Sequence, residues 1–151
     1  MIHFLPDYSP QYDDYSVYFT LNFLSKEECD KIISLKSPIP PASATPIEPN
    51  PNIRLSTVNW LEHDKLTDWV FQKIGSKVLE INRLHYGFDI SGILEPMQVS
   101  EYDGNSNEQY EWHTDFHTKT SLNVQRKISV AINLSEDGAY EGGNLENYQL
   151  T

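Results

Sequence analysis

The chain has 151 residues, a formal net charge of -11 and one cysteine. Such an acidic chain is poorly suited to a nucleic-acid backbone or an anionic membrane as main partner, because both attract positive charge. No apolar run approaches the roughly 18 residues of a membrane span, and residues 1–10 lack the features of a signal peptide. Cys29 cannot form an internal disulfide, which suits a reducing compartment. We therefore expect a cytoplasmic, single-domain protein.

The first third of the chain predicts a strand, a helix and a loop. Residues 15–24 are rich in β-branched and aromatic side chains, which favours a strand. Ser25 is a suitable N-cap for a helix, and Glu28 three residues later completes a capping box. Residues 37–51 contain six prolines, which predicts a surface loop. A linker between two domains is the alternative, but the residues before it are too few for a core of their own.

The middle of the chain predicts an extended segment at 53–61, a helix at 65–82 and two strands at 84–90 and 93–102. The helix is predicted because apolar residues recur at helical spacing, which should pack one face on a sheet: Leu66, Trp69, Val70, Ile74, Val78 and Ile81. Ser91 and Gly92 would join the two strands in a hairpin-like connection.

Residues 126–134 alternate between apolar and small or polar side chains, which predicts a further strand. Ser129, Ala131 and Asn133 form its small and polar face, which suits a cavity wall. Asp137 and Gly138 would then turn the chain into a last extended segment, 144–150. Helices followed by a run of antiparallel strands indicate an α+β or mainly β domain, with the helices bracing one face of a sheet.

Between these strands lies a histidine two residues before a carboxylate. In an extended chain His113 and Asp115 point to the same side, with Cα atoms roughly 6.6 Å apart. An imidazole and a carboxylate are two of the three ligands in the triad that holds non-haem Fe(II) with open coordination positions. Because the chain has five histidines and ten aspartates, such a triplet can arise by chance, and the alternative is a polar strand edge or loop with an ordinary surface histidine.

Four segments surround this pair in a specific order. They are FLSKEEC at 23–29, PMQVSEY at 96–102 leading to YEWHTD at 110–115, RKISVAINLS at 126–135, and the paired glycines in YEGGNL at 140–145. Together they resemble the prolyl-4-hydroxylase-like branch of the 2-oxoglutarate and Fe(II)-dependent oxygenases. Their order is much more specific than the triplet alone.

The resemblance implies an α+β, mainly β fold. Its core would be a double-stranded β-helix, a jelly-roll or cupin-like barrel, with N-terminal helices bracing the major sheet. Residues 1–151 would form one incomplete domain, in which 1–92 give helical and strand support and 93–151 the first strands of the core. The remaining strands, the distal histidine ligand and the Arg or Lys that pairs with the cosubstrate are expected beyond Thr151.

The resemblance also implies site residues and cofactors. His113 and Asp115 would bind Fe(II), Tyr102 would hydrogen-bond the cosubstrate 2-oxoglutarate, and Tyr110 would line the same pocket. Asn133 is a further pocket candidate, and ascorbate a further cofactor. The alternative for Tyr102 and Tyr110 is two core tyrosines with satisfied hydroxyl groups. No catalytic residue beyond the metal ligands is implied.

The implied reaction is hydroxylation of a C–H bond, coupled to oxidative decarboxylation of 2-oxoglutarate to succinate with O2. The substrate would be a prolyl residue in a peptide or a small molecule, by analogy only. Asp115 favours hydroxylation, because related halogenases have a small residue at this position. Two alternatives stay open. One is a non-catalytic binding or assembly module derived from such an oxygenase, and the other is a cupin-like metalloprotein that adds His117 to His113 and Asp115.

Overall fold

The computed structural model describes residues 17–35, 54–115 and 126–147. These ranges contain two α-helices and two two-stranded antiparallel sheets, in the order α1 Lys26–Ser34, β1 Arg54–Leu55, β2 Thr57–Leu61, α2 Asp68–Ile81, β3 Met97–Glu101 and β4 Gln109–Tyr110. Strand β1 pairs with β4, and β2 pairs with β3. A π-helical turn, Asn82–Tyr86, continues α2, and a 3-10 turn, Gly104–Ser106, precedes β4. No helix in these ranges is long and apolar enough to cross a membrane.

Helix α1 begins with the predicted capping box. The backbone N–H of Glu28 donates to Ser25 Oγ at 3.2 Å, and the backbone N–H of Ser25 donates to Glu28 Oε2 at 2.8 Å. These two bonds satisfy amide groups that a helix start otherwise leaves without partners. Lys73 of α2 also donates to the Glu28 carboxylate at 2.6 Å, which lowers the pKa of that carboxyl. One side chain therefore caps α1 and ties it to α2.

The core lies between the helices and one face of the β2–β3 pair. Leu61 is paired with Met97, and Asn59 with Val99. Directly opposite residues of an antiparallel pair share a face, and so do residues two apart in one strand. Val99 therefore points to the same side as Asn59, and Leu61 points there too. Leu61 and Val99 form the buried core together with residues of both helices, namely Ile32 of α1 and Val70, Phe71 and Ile74 of α2. Since side chains alternate along a strand, Gln98 and Ser100 lie on the face away from the helices.

Helix α2 confirms the helix predicted at 65–82, but it begins later, at Asp68. Asp64 Oδ1 accepts hydrogen bonds from the backbone N–H groups of Leu66 and Thr67 at 2.7 and 3.0 Å. This turn holds residues 65–67 outside the helix and leaves Leu66 exposed, although it belonged to the predicted apolar stripe. Phe71 is buried instead, where its ring stacks on His63 with centroids 4.6 Å apart.

The strands predicted at 15–24 and 84–90 are wrong. In the described part of 15–24, residues 17–24 form no strand, and Asn22 has a left-handed φ of 53°. Residues 84–90 begin inside the π-helical turn, which ends at Gly87 with φ 65°. Both side-chain ends of Asn82 hydrogen-bond the backbone of Phe88. These local hydrogen bonds hold the backbone in a helical turn, so this segment does not form the hydrogen-bonded ladder of a strand.

The jelly-roll prediction is also wrong, and the fold is not mainly β. The described residues contain only two separate two-stranded sheets and no closed sheet. Of the strand predicted at 93–102, only Met97–Glu101 forms, and the described segment 126–134 pairs with none of the strands. Ile132 and Leu134 do pack against the core. Side chains at the end of this segment therefore alternate between partly buried and exposed, although the segment forms no hydrogen-bonded ladder. A jelly-roll consists of about eight strands in two packed sheets, whereas this is a small α+β fold.

Some predictions lie outside the described residues. The proline-rich loop at 37–51 and His117 are among them, and so is most of the last extended segment. Residues 144–147 of that segment are described and form no strand.

Candidate functional site

The loop after β3 brings the predicted site residues back to the sheet. Asp103 accepts hydrogen bonds from the backbone N–H of Asn105 at 2.9 Å and from Ser106 Oγ at 3.2 Å. The bond from Asn105 is the main cause of the lowered pKa of the Asp103 carboxyl. The turn lets β4 pair with β1, so that Tyr110 lies directly opposite Arg54. The chain then continues without regular structure to Asp115.

His113 and Asp115 lie side by side. His113 Nε2 is 3.4 Å from Asp115 Oδ1, and both side chains are partly exposed. His113 Nδ1 is 2.8 Å from the backbone carbonyl oxygen of Glu111. A carbonyl oxygen can only accept, so Nδ1 donates its N–H to Glu111, and Nε2 is the ring nitrogen that faces Asp115. A neutral imidazole with its proton on Nδ1 would present the Nε2 lone pair to the same cation as the carboxylate oxygen.

This pair fits two ligands of one divalent metal ion. Bonds of about 2.1 Å to imidazole nitrogen and carboxylate oxygen put two neighbouring ligand atoms roughly 3.0–3.4 Å apart. The observed Nε2 to Oδ1 distance of 3.4 Å is in this range. Metal-binding histidines also commonly donate their second ring N–H to a backbone carbonyl, as His113 does to Glu111. In the described ranges, no group of three His, Cys, Asp or Glu side chains is placed to hold a metal ion.

Aromatic and cationic side chains surround the pair. The Tyr110 ring stacks on the His113 imidazole, with centroids 3.7 Å apart and planes inclined by 14°. The Arg54 guanidinium lies 4.5 Å from the Tyr110 centroid and 5.9 Å from the Tyr102 centroid. The structure thus brings Tyr102, Tyr110, His113 and Asp115 into one neighbourhood. The sequence predicted all four as site residues but did not single out Arg54.

A second arginine lies near Asp115. Arg126 Nε donates to Glu95 Oε2 at 2.7 Å. The Glu95 carboxylate raises the pKa of the Arg126 guanidinium, and Asp115 and Tyr110 act in the same direction with smaller effect. The pair joins the start of the segment 126–134 to the chain before β3, and it places a positive charge near the candidate metal ligand.

Asn133 makes other contacts. Its Nδ2 donates to the Tyr140 hydroxyl at 2.7 Å, and its Oδ1 accepts from the backbone N–H of Ser135 at 3.0 Å. Both partners follow it in the chain, so these bonds shape the turn after 126–134. They occupy the amide that the sequence assigned to a pocket wall.

The sequence carried little signal for the two arginines. Arg54 lies in a weakly patterned extended segment, and Arg126 at the start of a predicted strand. The segment 126–135 contributed to the family resemblance but did not single out Arg126, and the roles of both arginines depend on residues more than 30 positions away, Ser100 and Glu95.

Comparison with known proteins adds no relative. No family model, no curated protein and no solved structure matches this chain. The site itself therefore defines only a class: a histidine and carboxylate pair suited to a divalent metal, beside two tyrosines and two arginines.

Proposed function

We propose that the chain is a 2-oxoglutarate and Fe(II)-dependent dioxygenase that hydroxylates a C–H bond, in peptidyl proline or in a small molecule. The observation that carries the proposal is the His113 and Asp115 pair. Its Nε2 lies 3.4 Å from a carboxylate oxygen, and its Nδ1 donates to the backbone carbonyl of Glu111. The motif order described above adds the support of resemblance. A cytoplasmic location, which would suit the lone cysteine, belongs to the same proposal.

Each side chain has a defined task in this proposal. His113 and Asp115 would hold Fe(II), which together with 2-oxoglutarate and O2 supplies the oxidising chemistry. Tyr102 and Tyr110 would bind the cosubstrate, whose two carboxylates are complementary to a positively charged wall. Arg54, which packs on Tyr110, and Arg126, which lies near Asp115, would contribute positive charge beside the pair in a chain with a net charge of -11. The protein would thus bind Fe(II) and 2-oxoglutarate, orient them, and neutralise the carboxylates of the cosubstrate.

The test is succinate formation from 2-oxoglutarate in the presence of Fe(II). We expect the wild-type chain to form succinate and Asp115→Ala to lose this activity, because the substitution removes one of the two metal ligands. Asp137→Ala is the matched control, since Asp137 is an exposed aspartate in a turn. An Asp115→Ala variant with the wild-type rate would show that the assignment is wrong.

The non-catalytic binding module is the second candidate. The observation that favours it is that the described residues offer two metal ligands and not three. It predicts no affinity for Fe(II) or Mn(II), whereas the dioxygenase predicts Mn(II) binding that Asp115→Ala weakens. Calorimetric titration with Mn(II) separates the two. His117→Ala in the same titration tests the cupin-like alternative, which requires that this substitution abolish binding.

A further inference from the structure

We propose that Arg54 is a positioning residue: it holds the Tyr110 ring in place, and through that ring it sets the orientation of the His113 imidazole. Its importance for turnover rests on the dioxygenase function proposed above. The positioning itself rests on contacts that exist without metal or cosubstrate.

Three neutral side chains fix the guanidinium. Arg54 Nε donates to Ser56 Oγ at 2.8 Å, one terminal nitrogen donates to Gln98 Oε1 at 3.2 Å, and the other donates to Ser100 Oγ at 2.6 Å. Because the guanidinium is a rigid planar fork, three bonds from three nitrogens determine both its position and its plane. Gln98 and Ser100 belong to β3, on the face away from the helices. Arg54 of β1 is thereby anchored to the β2–β3 sheet.

The anchored charge then supports Tyr110. The Arg54 Cζ is 4.5 Å from the centroid of the Tyr110 ring, within the range of a cation–π contact. The β1–β4 ladder consists of only two residue pairs, Arg54 with Tyr110 and Leu55 with Gln109. So short a pairing is marginal by itself. The side-chain contact therefore supplies the link between Tyr110 and the larger β2–β3 sheet.

The position of the Tyr110 ring in turn determines the orientation of the His113 ring. The bond from Nδ1 to the Glu111 carbonyl fixes one ring atom of His113, and the parallel stack on Tyr110 at 3.7 Å fixes the plane of its ring. Together they determine the direction of Nε2, the atom that faces Asp115. Arg54 thus acts on the candidate ligand through one intermediate ring.

The experiment follows the His113 ring protons by NMR in the metal-free chain. A tyrosine ring stacked on the imidazole shifts these resonances upfield, and Tyr110→Leu gives their position without the stack. We expect Arg54→Met to move the resonances most of the way to the Tyr110→Leu position. Arg54→Lys should lie between, because it keeps the charge but loses the fork. Arg83→Met, at an exposed arginine of the π-helical turn, is the matched control and should leave them unchanged.

A second, smaller substitution tests the same contact in case Arg54→Met disrupts the fold. Ser100→Ala removes only the acceptor of the shortest Arg54 bond, and we expect it to shift the His113 resonances in the same direction as Arg54→Met. If Arg54→Met and Ser100→Ala both leave the resonances at the wild-type position, or if Tyr110→Leu does not move them, Arg54 does not position His113.

The two proposals fail separately. If the wild-type chain forms succinate, Arg54→Met should reduce the rate by up to about a hundredfold, because misplacing a reacting group by about 1 Å can cost that much. If the resonances respond as expected but the wild-type chain forms no succinate, the positioning stands and the dioxygenase function is wrong.

Discussion

The side chain of Asn82 should be among the most sensitive polar positions of this fold. Asn82 is 7% exposed, its Nδ2 donates to the Phe88 carbonyl at 2.9 Å, and its Oδ1 accepts from the Phe88 backbone N–H at 2.9 Å. Its own carbonyl accepts from the N–H of Gly87, which closes the π-helical turn. Asn82 therefore directs the chain from α2 toward β3, the strand that leads to Tyr102.

The size of the effect follows from these bonds. Asn82→Ala removes two hydrogen bonds at once, and each buried group that loses its partner costs about 1–3 kcal/mol. Phe88 is only half-buried, so water can partly replace the amide. We therefore expect the free energy of unfolding to fall by about 2–4 kcal/mol. Urea denaturation followed by circular dichroism measures it, and Asn105→Ala, in an exposed loop, should change it by less than about 0.5 kcal/mol.

Asn82→Asp tests the direction of the bonds. The aspartate keeps an acceptor for the Phe88 N–H, but its second oxygen replaces a donor and faces the Phe88 carbonyl oxygen. This repulsion and the burial should raise the pKa of the new carboxyl in the folded state. The variant should then gain stability relative to Asn82→Ala as the pH falls from about 7 to about 4, where a protonated carboxyl can donate again. The reasoning fails if Asn82→Ala unfolds at the wild-type urea concentration, or if Asn82→Asp shows no such gain.

Further predictions concern α1 and two glycines. The bond from Lys73 lowers the pKa of the Glu28 carboxyl in the folded state, so the stabilisation by Glu28 should be present above the ordinary carboxyl pKa and be lost as the pH falls through the lowered value. The urea midpoint of the wild-type chain should thus decrease more on acidification than that of Glu28→Gln, and parallel decreases would contradict this. Gly75→Ala should stabilise α2 by about 0.5–1 kcal/mol in thermal unfolding, because Ala favours the helix and its methyl group would meet Ile93 Cδ1 at an ordinary 3.8 Å. Gly87→Ala should instead destabilise by about 1 kcal/mol, because φ is 65° there, and equal effects at both glycines would refute the argument.

The features that the sequence predicted correctly are local. Ser25 and Glu28 are three residues apart, and this spacing alone brings the partners of the capping box together once a helix turn forms. The stripe in 65–82 predicted α2 for a similar reason, since helical hydrogen bonds join residues four apart. The 3-10 turn before β4 is local in the same sense, because Asp103 caps it by accepting from the backbone N–H of Asn105, two residues later.

Strand formation depends on residues distant in the chain, and several strand predictions made from the sequence were wrong. Residues 17–24 and 84–90 have side chains typical of strands, but a strand is stable only if another segment pairs with it, and composition does not say which segment does so. At 84–90 the amide of Asn82 bonds Phe88 and gives the backbone a competing helical turn. The jelly-roll expected from the motif order failed for the same reason, because it depends on many distant pairings at once.

The candidate site also combines local features, which the sequence showed, with contacts between distant residues, which it could not show. The two-residue spacing of His113 and Asp115 was visible in the sequence, and this separation lets their side chains approach to 3.4 Å. The sequence could not show that Tyr110 stacks on His113, or that Arg54 reaches Tyr110 from β1, because these contacts join residues brought together by the pairing of β1 with β4. The sequence by itself thus determined the closely spaced pair of His113 and Asp115, whereas the tertiary structure alone decided what surrounds and orients it, since only strand pairing fixes the distance between residues far apart in the chain.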